Sequence, residues 1–298
     1  MPATATVAVG LAALLDRLVA EPPSQLHPVA IFGRAVAPLD RTWSRPSLAG
    51  GIVAVTLPLL AGGVVFGLVA ALAAFPPLAA LLSGLVLFST TSLRMLLVEA
   101  RDVVALSTED LPTARRRLRS LAGRDADTLS AADVRSAAVE SLAENLADGF
   151  VAPLFAFALV APVSLAGGAA AATWVKAVNT LDSMLGYPHK PHGTASARLD
   201  DLTMWLPARL TAVTLALAGG DLRALSRARE QSGRPPSPNS GWPMATLAAL
   251  LSVRLEKPGG YVLDFGAPPT AADADRARTL VARSGWLAVA AAGVVVWF

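Results

Sequence analysis

PSLAGGIVAVTLPLLAGGVVFGLVAALAAFPPLAALLSGLVLFSTTSL, residues 46–93, runs for 48 positions without a charged side chain, and Pro76-Pro77 divides it near its middle. The 30 residues 46–75 exceed the roughly 20 apolar residues that a helix needs to cross hydrocarbon, and the 18 residues 76–93 fall within the spanning range of about 17–25. A proline pair breaks a helix because it removes backbone donors and clashes with the preceding turn. The stretch therefore predicts a transmembrane hairpin over 46–93. Gly62-Gly63, Gly67 and Gly84 are expected to be close-packing points between helices rather than ligand contacts.

Composition agrees with that reading. The 298 residues are 54% hydrophobic and 16% charged, with mean hydropathy +0.52, whereas soluble domains carry about 25% charged residues. The absence of cysteine excludes disulfides and thiolate metal sites. A formal charge of +3 and a pI near 9.8 do not indicate nucleic acid, because the basic residues are spread over segments that also carry acids and lack interleaved aromatics. The expected partner surface is the lipid bilayer, with no nucleic acid. The apolar run 7–15 stops at Asp16-Arg17 without a basic leader or a small-residue cleavage pattern, so targeting is assigned to the internal spans.

Outward from the hairpin, residues 7–19 read as a short helix broken by Glu21-Pro22-Pro23, and a helical pattern resumes over 27–36 with Pro28 suited to a first turn. Residues 94–148 form a polar helical segment with seven arginines from Arg101 to Arg135, which the positive-inside rule places in the cytoplasm. The 27 uncharged residues 149–175 are interrupted by Pro153 and by APVSLAGG at 161–168. They are read either as a single crossing or as a re-entrant or buried helical pair. The pair keeps Lys176, Lys190 and Arg198 on the side of the other basic clusters, and is favoured for that reason.

Residues 149–220 are expected to bear the site. The apolar runs 209–220 and 242–253 are too short to span, 221–240 is a surface loop, and 279–298 is a last membrane helix with Arg283 snorkelling. No strand alternation persists long enough to predict a sheet. The expectation is one all-α, polytopic integral membrane domain over 1–298. It has re-entrant or short buried helices and a polar site on the cytoplasmic side of the cell membrane.

Three polar groups of residues could carry chemistry. Glu140, Glu144 and Asp148 stand four apart along one helix face, which is either a solvated face or a site; Asn145 lies beside them. Lys176, Asn179 and Asp182 combine a cation with oxygen ligands at one-turn spacing, which suits Mg²⁺ and phosphates, although spacing alone favours capping or bridging of neighbouring helices by Asn179 and Asp182. Arg198, Asp200 and Asp201, followed by Arg209, repeat that mixture, and adjacent aspartates point to different sides of a helix. His27, His189 and His192 have no metal-ligand spacing, and no standard phosphate loop, dinucleotide fingerprint or nucleophile elbow occurs.

Five blocks together resemble the CbiB/CobD family of cobalamin biosynthesis proteins, the adenosylcobinamide-phosphate synthases. They are LDRLVAEPPSQLHPVAIFGRAV (15–36), ESLAENLADGFVAPLF (140–155), KAVNTLDSMLGY (176–187), ARLDDLTMWLPARLTA (197–212) and PNSGWPMATLAALLSVRLEKPGGY (238–261). Ala20-Glu21-Pro22 stands where the family often has Gly-Asp-Pro, and Lys190-Pro191-His192-Gly193 is shorter than the family's loop.

The resemblance implies a ligase that joins an aminopropanol donor, free or as its O-phosphate, to a propionate of the corrinoid substrate adenosylcobyric acid. ATP and Mg²⁺ take part, and the carboxylate is activated as an acyl phosphate. On that reading Asp182 and one of Asp200 or Asp201 hold Mg²⁺, while Lys176, Arg198 and Arg209 neutralise phosphates. Glu140 or Glu144 accepts the amine proton, Asn145, Asp148, Asn179 and Asn239 orient substrates, and His27 lines the pocket. A homo-oligomer is left open. The competing functions are a non-catalytic membrane sensor of the AmpE type and a corrinoid transporter, the latter disfavoured because no inverted pair of halves shows in the hydropathy.

Overall fold

The computed structural model describes residues 2–22, 25, 27–123 and 126–298; Pro23, part of the expected N-terminal break, lies outside them. The helices in chain order are α1 (Pro2–Val19), α2 (Pro28–Val36), α3 (Pro46–Ala71), α4 (Pro76–Thr90), α5 (Arg94–Glu109), α6 (Leu111–Leu118) and α7 (Ala131–Leu146). They continue with α8 (Ala152–Val160), α9 (Leu165–Leu185), α10 (Thr194–Thr203), α11 (Trp205–Gly219), α12 (Arg223–Arg229) and α13 (Gly241–Leu251). A hairpin of β1 (Arg254–Lys257) and β2 (Tyr261–Asp264) precedes α14 (Ala271–Trp297).

Among the described residues five helices are long and apolar enough to cross a membrane: Pro2–Val19, Pro46–Ala71, Pro76–Glu109, Ala131–Val160 and Ala271–Trp297. The protein is an all-α polytopic membrane protein. Its contacts divide it into two units, Met1–Ser92 with Asp148–Met204 and Val289–Phe298, and Leu93–Ala147 with Trp205–Ala288.

In the first unit α3 and α4 form the expected hairpin, with Pro46 and Pro76 at helix starts where a missing N–H costs nothing. The N-terminal helix is longer than the sequence predicts: α1 starts at Pro2, and its stripe Ala5, Ala8, Val9, Ala12 and Asp16 is buried as it packs on α4. Small residues let these helices approach closely. A Cβ on Gly84 would lie 3.1 Å from the Ala8 carbonyl oxygen, and one on Gly62 would lie 3.1 Å from that of Ala170 on α9. Gly63 and Gly67 have open space instead, so the packing expectation holds for two of the four positions.

The run 149–175 also differs from expectation. Its first part does not stand as a short piece but completes the helix Ala131–Val160, which passes through a π turn at Ala147–Val151. The chain turns at 161–164, where Ser164 accepts a hydrogen bond from the Gly167 N–H at 3.0 Å, and returns as the 21-residue α9 packed on α8. Gly168 permits the contact, since a Cβ there would sit 2.7 Å from that of Ala161.

The loop after α9 is pinned. Lys190 Nζ donates to Asp40 Oδ2 at 2.7 Å and to the Met184 carbonyl at 2.9 Å, and His192 Nε2 lies 3.2 Å from Asp40 Oδ1. The hydrogen bond from Lys190, helped by His192, holds the Asp40 carboxyl below the usual carboxylate range. Backbone passes so near that a Cβ on Gly50 would fall 1.9 Å from the His192 carbonyl oxygen, and one on Gly193 1.6 Å from that of Leu185.

In the second unit α7 begins with a reciprocal cap between Ser130 and Asp133 and packs on α5. Arg117 makes a two-pronged contact with Glu99 (3.1 Å twice) and reaches Asp102 at 2.8 Å. Nearly every side chain of α13 is buried, so this run is a core helix, too short to span. The region 221–240, expected as loop, holds α12 with Ala224 and Ala228 buried before the turns. The β hairpin is a correction to the strand-free expectation: Leu255 pairs with Leu263, both fully buried, and Gly259 takes φ +70° in the turn.

Two predictions follow from the pinned loop. Gly50→Ala should cost about 1–3 kcal/mol of overpacking and lower the detergent melting temperature, while Gly63→Ala on the same helix should leave it unchanged. Asp40→Asn should lower the melting temperature at neutral pH. Because the folded Asp40 is more acidic than its unfolded form, its stabilisation is complete above the ordinary carboxylate value and is lost as pH falls through the lower folded value. The gap between wild type and variant should therefore persist to about pH 4 and close only below it.

Candidate functional site

Lys176 is the centre of the first unit's polar residues. It enters on α9 after an uncharged lead-in from Leu165 to Val175 and lines an apolar cavity of about 440 Å³. The walls come from α2, α3, α4 and α9, with Phe32, Leu57, Val64 and Val86 among them. The hydroxyls there serve their own helices: Ser89, Thr90, Thr173 and Thr180 donate to the carbonyls of Val86, Leu87, Ala169 and Lys176. Lys176 interacts electrostatically with three carboxylates, Asp148 in the π turn, Glu21 after α1 and Asp200 on α10. π turns are frequent at functional sites because they re-aim one side chain within a helix.

Glu21 also accepts a hydrogen bond from Ser92 Oγ and lies 4.0 Å from His27 Nε2. His27 caps α2, its Nδ1 accepting from the Val29 N–H at 3.2 Å. Burial pushes its imidazole toward the neutral form; Glu21 opposes the shift and Lys176 adds to it. Two turns along α9 from Lys176, Asp182 interacts with Asp201, which stands 3.9 Å from Arg198. A Cβ at Gly186 would overlap the Asp182 carboxylate, 1.8 Å from Oδ1, so that glycine is required where it stands. Asn179 lies between, its carbonyl accepting from Ser183.

The second unit holds the other residues singled out from sequence. Glu140 is 1% exposed and receives hydrogen bonds from Ser136 Oγ at 3.2 Å and the Tyr261 hydroxyl at 2.9 Å. It thereby ties α7 to the β hairpin. Glu144 is half-buried one turn on, and the Asn145 amide donates to the carbonyls of Ser141 and Leu121. Arg209 stacks on Trp205 and Trp242, its guanidinium carbon 4.4 and 5.4 Å from the ring centres, and donates to Asn239 Oδ1 at 3.0 Å.

The first unit thus gathers Lys176, Asp148 and Asp200 around one another and Asp182 with Asp201 and Arg198. The second pairs Arg209 with Asn239. Asp182, Asp200 and Asp201 do not form a three-carboxylate cage: among the described residues no group of three or more His, Cys, Asp or Glu could hold a metal unaided. Asp200 acts on Lys176 and Asp201 on Asp182, as expected of neighbours on a helix. Mg²⁺ needs only one or two protein carboxylates when phosphate oxygens complete its shell, so Asp182 and Asp201 fit that ion. Sequence reasoning missed the roles of Asp40 and Tyr261, which lie more than a hundred residues from their partners; Tyr261 closes the block 238–261 but was given no part there. Glu21 was noted there only as a turn residue.

The sequence profile of the family described as CobD/Cbib protein matches residues 9–284. A "Probable cobalamin biosynthesis protein CobD" of Methanothrix thermoacetophila is 38% identical over 93% of this chain and 92% of its own length. Proteins named "Cobalamin biosynthesis protein CobD" from Klebsiella pneumoniae and Geobacter metallireducens are 37% and 40% identical, covering 83% and 88% of this chain and 81% and 85% of theirs. No solved structure matches. Profile and relatives agree along almost the entire sequence, and the chain belongs to the CobD/Cbib family of cobalamin biosynthesis proteins.

Proposed function

We propose that this protein is the membrane ligase that joins an aminopropanol donor, free or O-phosphorylated, to a propionate of adenosylcobyric acid at the expense of ATP. The observation that carries the reading is Lys176, a cation on the wall of an apolar cavity and balanced by Glu21, Asp148 and Asp200. A carboxylate oxygen cannot leave as it stands. Transfer of a phosphoryl group to it releases ADP and forms an acyl phosphate. Attack by the amine nitrogen on the acyl carbon then makes the C–N bond, breaks the C–O bond and expels phosphate, which carries off the proton that the amine gives up.

Such a sequence asks the protein mainly for positioning and for neutralisation of phosphate charge. Lys176 and Arg198 supply positive charge, and Asp182 with Asp201 would hold Mg²⁺, which would supply further charge neutralisation to the phosphate. Asp148 and Asn179 orient substrate, and His27, kept toward the neutral form by burial, caps α2, whose Pro28, Val29 and Phe32 line the wall. We place the site on the cytoplasmic side of the cell membrane, where the nucleotide is available.

The test is formation of the amide product by protein purified in detergent with ATP, Mg²⁺, adenosylcobyric acid and the amine donor. Asp182→Ala, Asp201→Ala and Lys176→Met should each lower the rate by about 100-fold, the loss of roughly 3 kcal/mol of transition-state stabilisation. Retention of more than about a tenth of the rate in both aspartate variants would remove the metal assignment. Absence of any amide product from wild type would favour a non-catalytic, AmpE-like role. Arg209→Ala, Asn239→Ala, Glu140→Gln and Glu144→Gln in the same assay decide whether the second unit's residues take part.

A further inference from the structure

We propose that the exposed face of α14, with α11 beside it, is a binding site for an anionic phospholipid, separate from the ligase chemistry. Two adjoining hollows in the second unit share Thr279 and Arg283. One, of about 440 Å³, is polar and is lined by Arg276, Arg278, Arg283 and Asp275. The other, of about 510 Å³, is apolar and is lined by Ala218, Ala282, Trp286 and Leu287.

Helix periodicity sets this arrangement. Ala274, Ala277, Val281, Ser284 and Ala288 recur at three- and four-residue steps and are buried. The opposite stripe, Arg276, Thr279, Arg283, Trp286 and Leu287, is exposed. Along that stripe polar groups come first, the guanidinium groups of Arg276 and Arg283 with the Thr279 hydroxyl between them, and the indole and alkyl groups of Trp286 and Leu287 follow. The order matches the depth profile of a phospholipid, phosphate first and acyl chain after.

Charge selects the headgroup. Arg276 is 3.6 Å from Asp273 and Arg278 is 3.4 Å from Asp275, long contacts on solvent-exposed arginines. Among the described residues no carboxylate pairs with Arg283, which stands where the polar and apolar hollows meet. A zwitterionic headgroup would bring its own cation into this cluster, whereas a phosphatidylglycerol-type phosphate adds only the charge that the guanidinium groups match. Because α14 is long and apolar enough to span, such a lipid reaches the site from the bilayer by lateral diffusion. Trp286 suits the boundary level at which aromatic side chains settle.

The experiment is native mass spectrometry of the full chain, stripped in neutral detergent and offered dioleoylphosphatidylglycerol and dioleoylphosphatidylcholine in competition. Wild type should retain the anionic lipid in preference, and Arg276→Gln and Arg283→Gln should each reduce that preference about fivefold. Arg283→Lys, which keeps the charge, should preserve it, and Trp286→Ala should weaken retention of both lipids. Equal retention of the two lipids by wild type, or an unchanged preference in the double glutamine variant, would overturn the proposal. So would displacement of the lipid by inorganic phosphate alone, which would make this a phosphate site. Melting temperatures of the variants separate lost binding from lost folding, and amide formation by the same variants should be unchanged.

Discussion

An ammonium group among apolar helices is the constraint on which the first unit depends. Charge removed from water costs several kcal/mol unless opposite charge or hydrogen bonds replace the lost hydration. Lys176 recovers part of that cost from Asp148, Glu21 and Asp200, which arrive from the π turn before α8, the end of α1, and α10. Three chain segments far apart in sequence are therefore held around one side chain.

Close helix approach is what allows those segments to meet. Gly84 brings α4 onto α1, Gly62 brings α3 onto α9, and Gly168 folds α9 back on α8. In hydrocarbon there is little hydrophobic drive between helices, so van der Waals contact over such small residues does more of the work than in a soluble core. The pinned loop extends the same logic past the helix end. Gly50 and Gly193 admit the backbone of His192 and Leu185, and Asp40 then fixes Lys190 and His192.

Hydropathy made the α3–α4 hairpin legible, because a 48-residue uncharged run has few alternatives, but it left 131–148, the first part of the helix Ala131–Val160, in a cytoplasmic segment. It failed at three further places for identifiable reasons. The polar end of α1 at Pro2–Thr6 hid a full-length helix, since Thr6 satisfies its hydroxyl on the Pro2 carbonyl and so tolerates an apolar setting. The π turn has no composition of its own and shows only as the re-aimed Asp148. The β hairpin comprises two four-residue strands, too brief for alternation to register, although Lys257-Pro258-Gly259-Gly260 does mark its turn.

The candidate residues were legible as a set of types but not as a set of partners. Spacing put Glu140, Glu144 and Asp148 on one face and suggested a shared task. Glu140 instead has its carboxylate engaged by Ser136 and Tyr261, a structural use that sequence could not reveal because Tyr261 is 121 residues away. Asp182 shows the opposite case. Its i, i+3 relation to Asn179 favoured helix capping or bridging over metal binding, yet Gly186 leaves its carboxylate room that any larger residue would fill, and Asp201 adds a second negative charge nearby. Two like charges brought together repel, and Arg198, 3.9 Å from Asp201, offsets part of that repulsion.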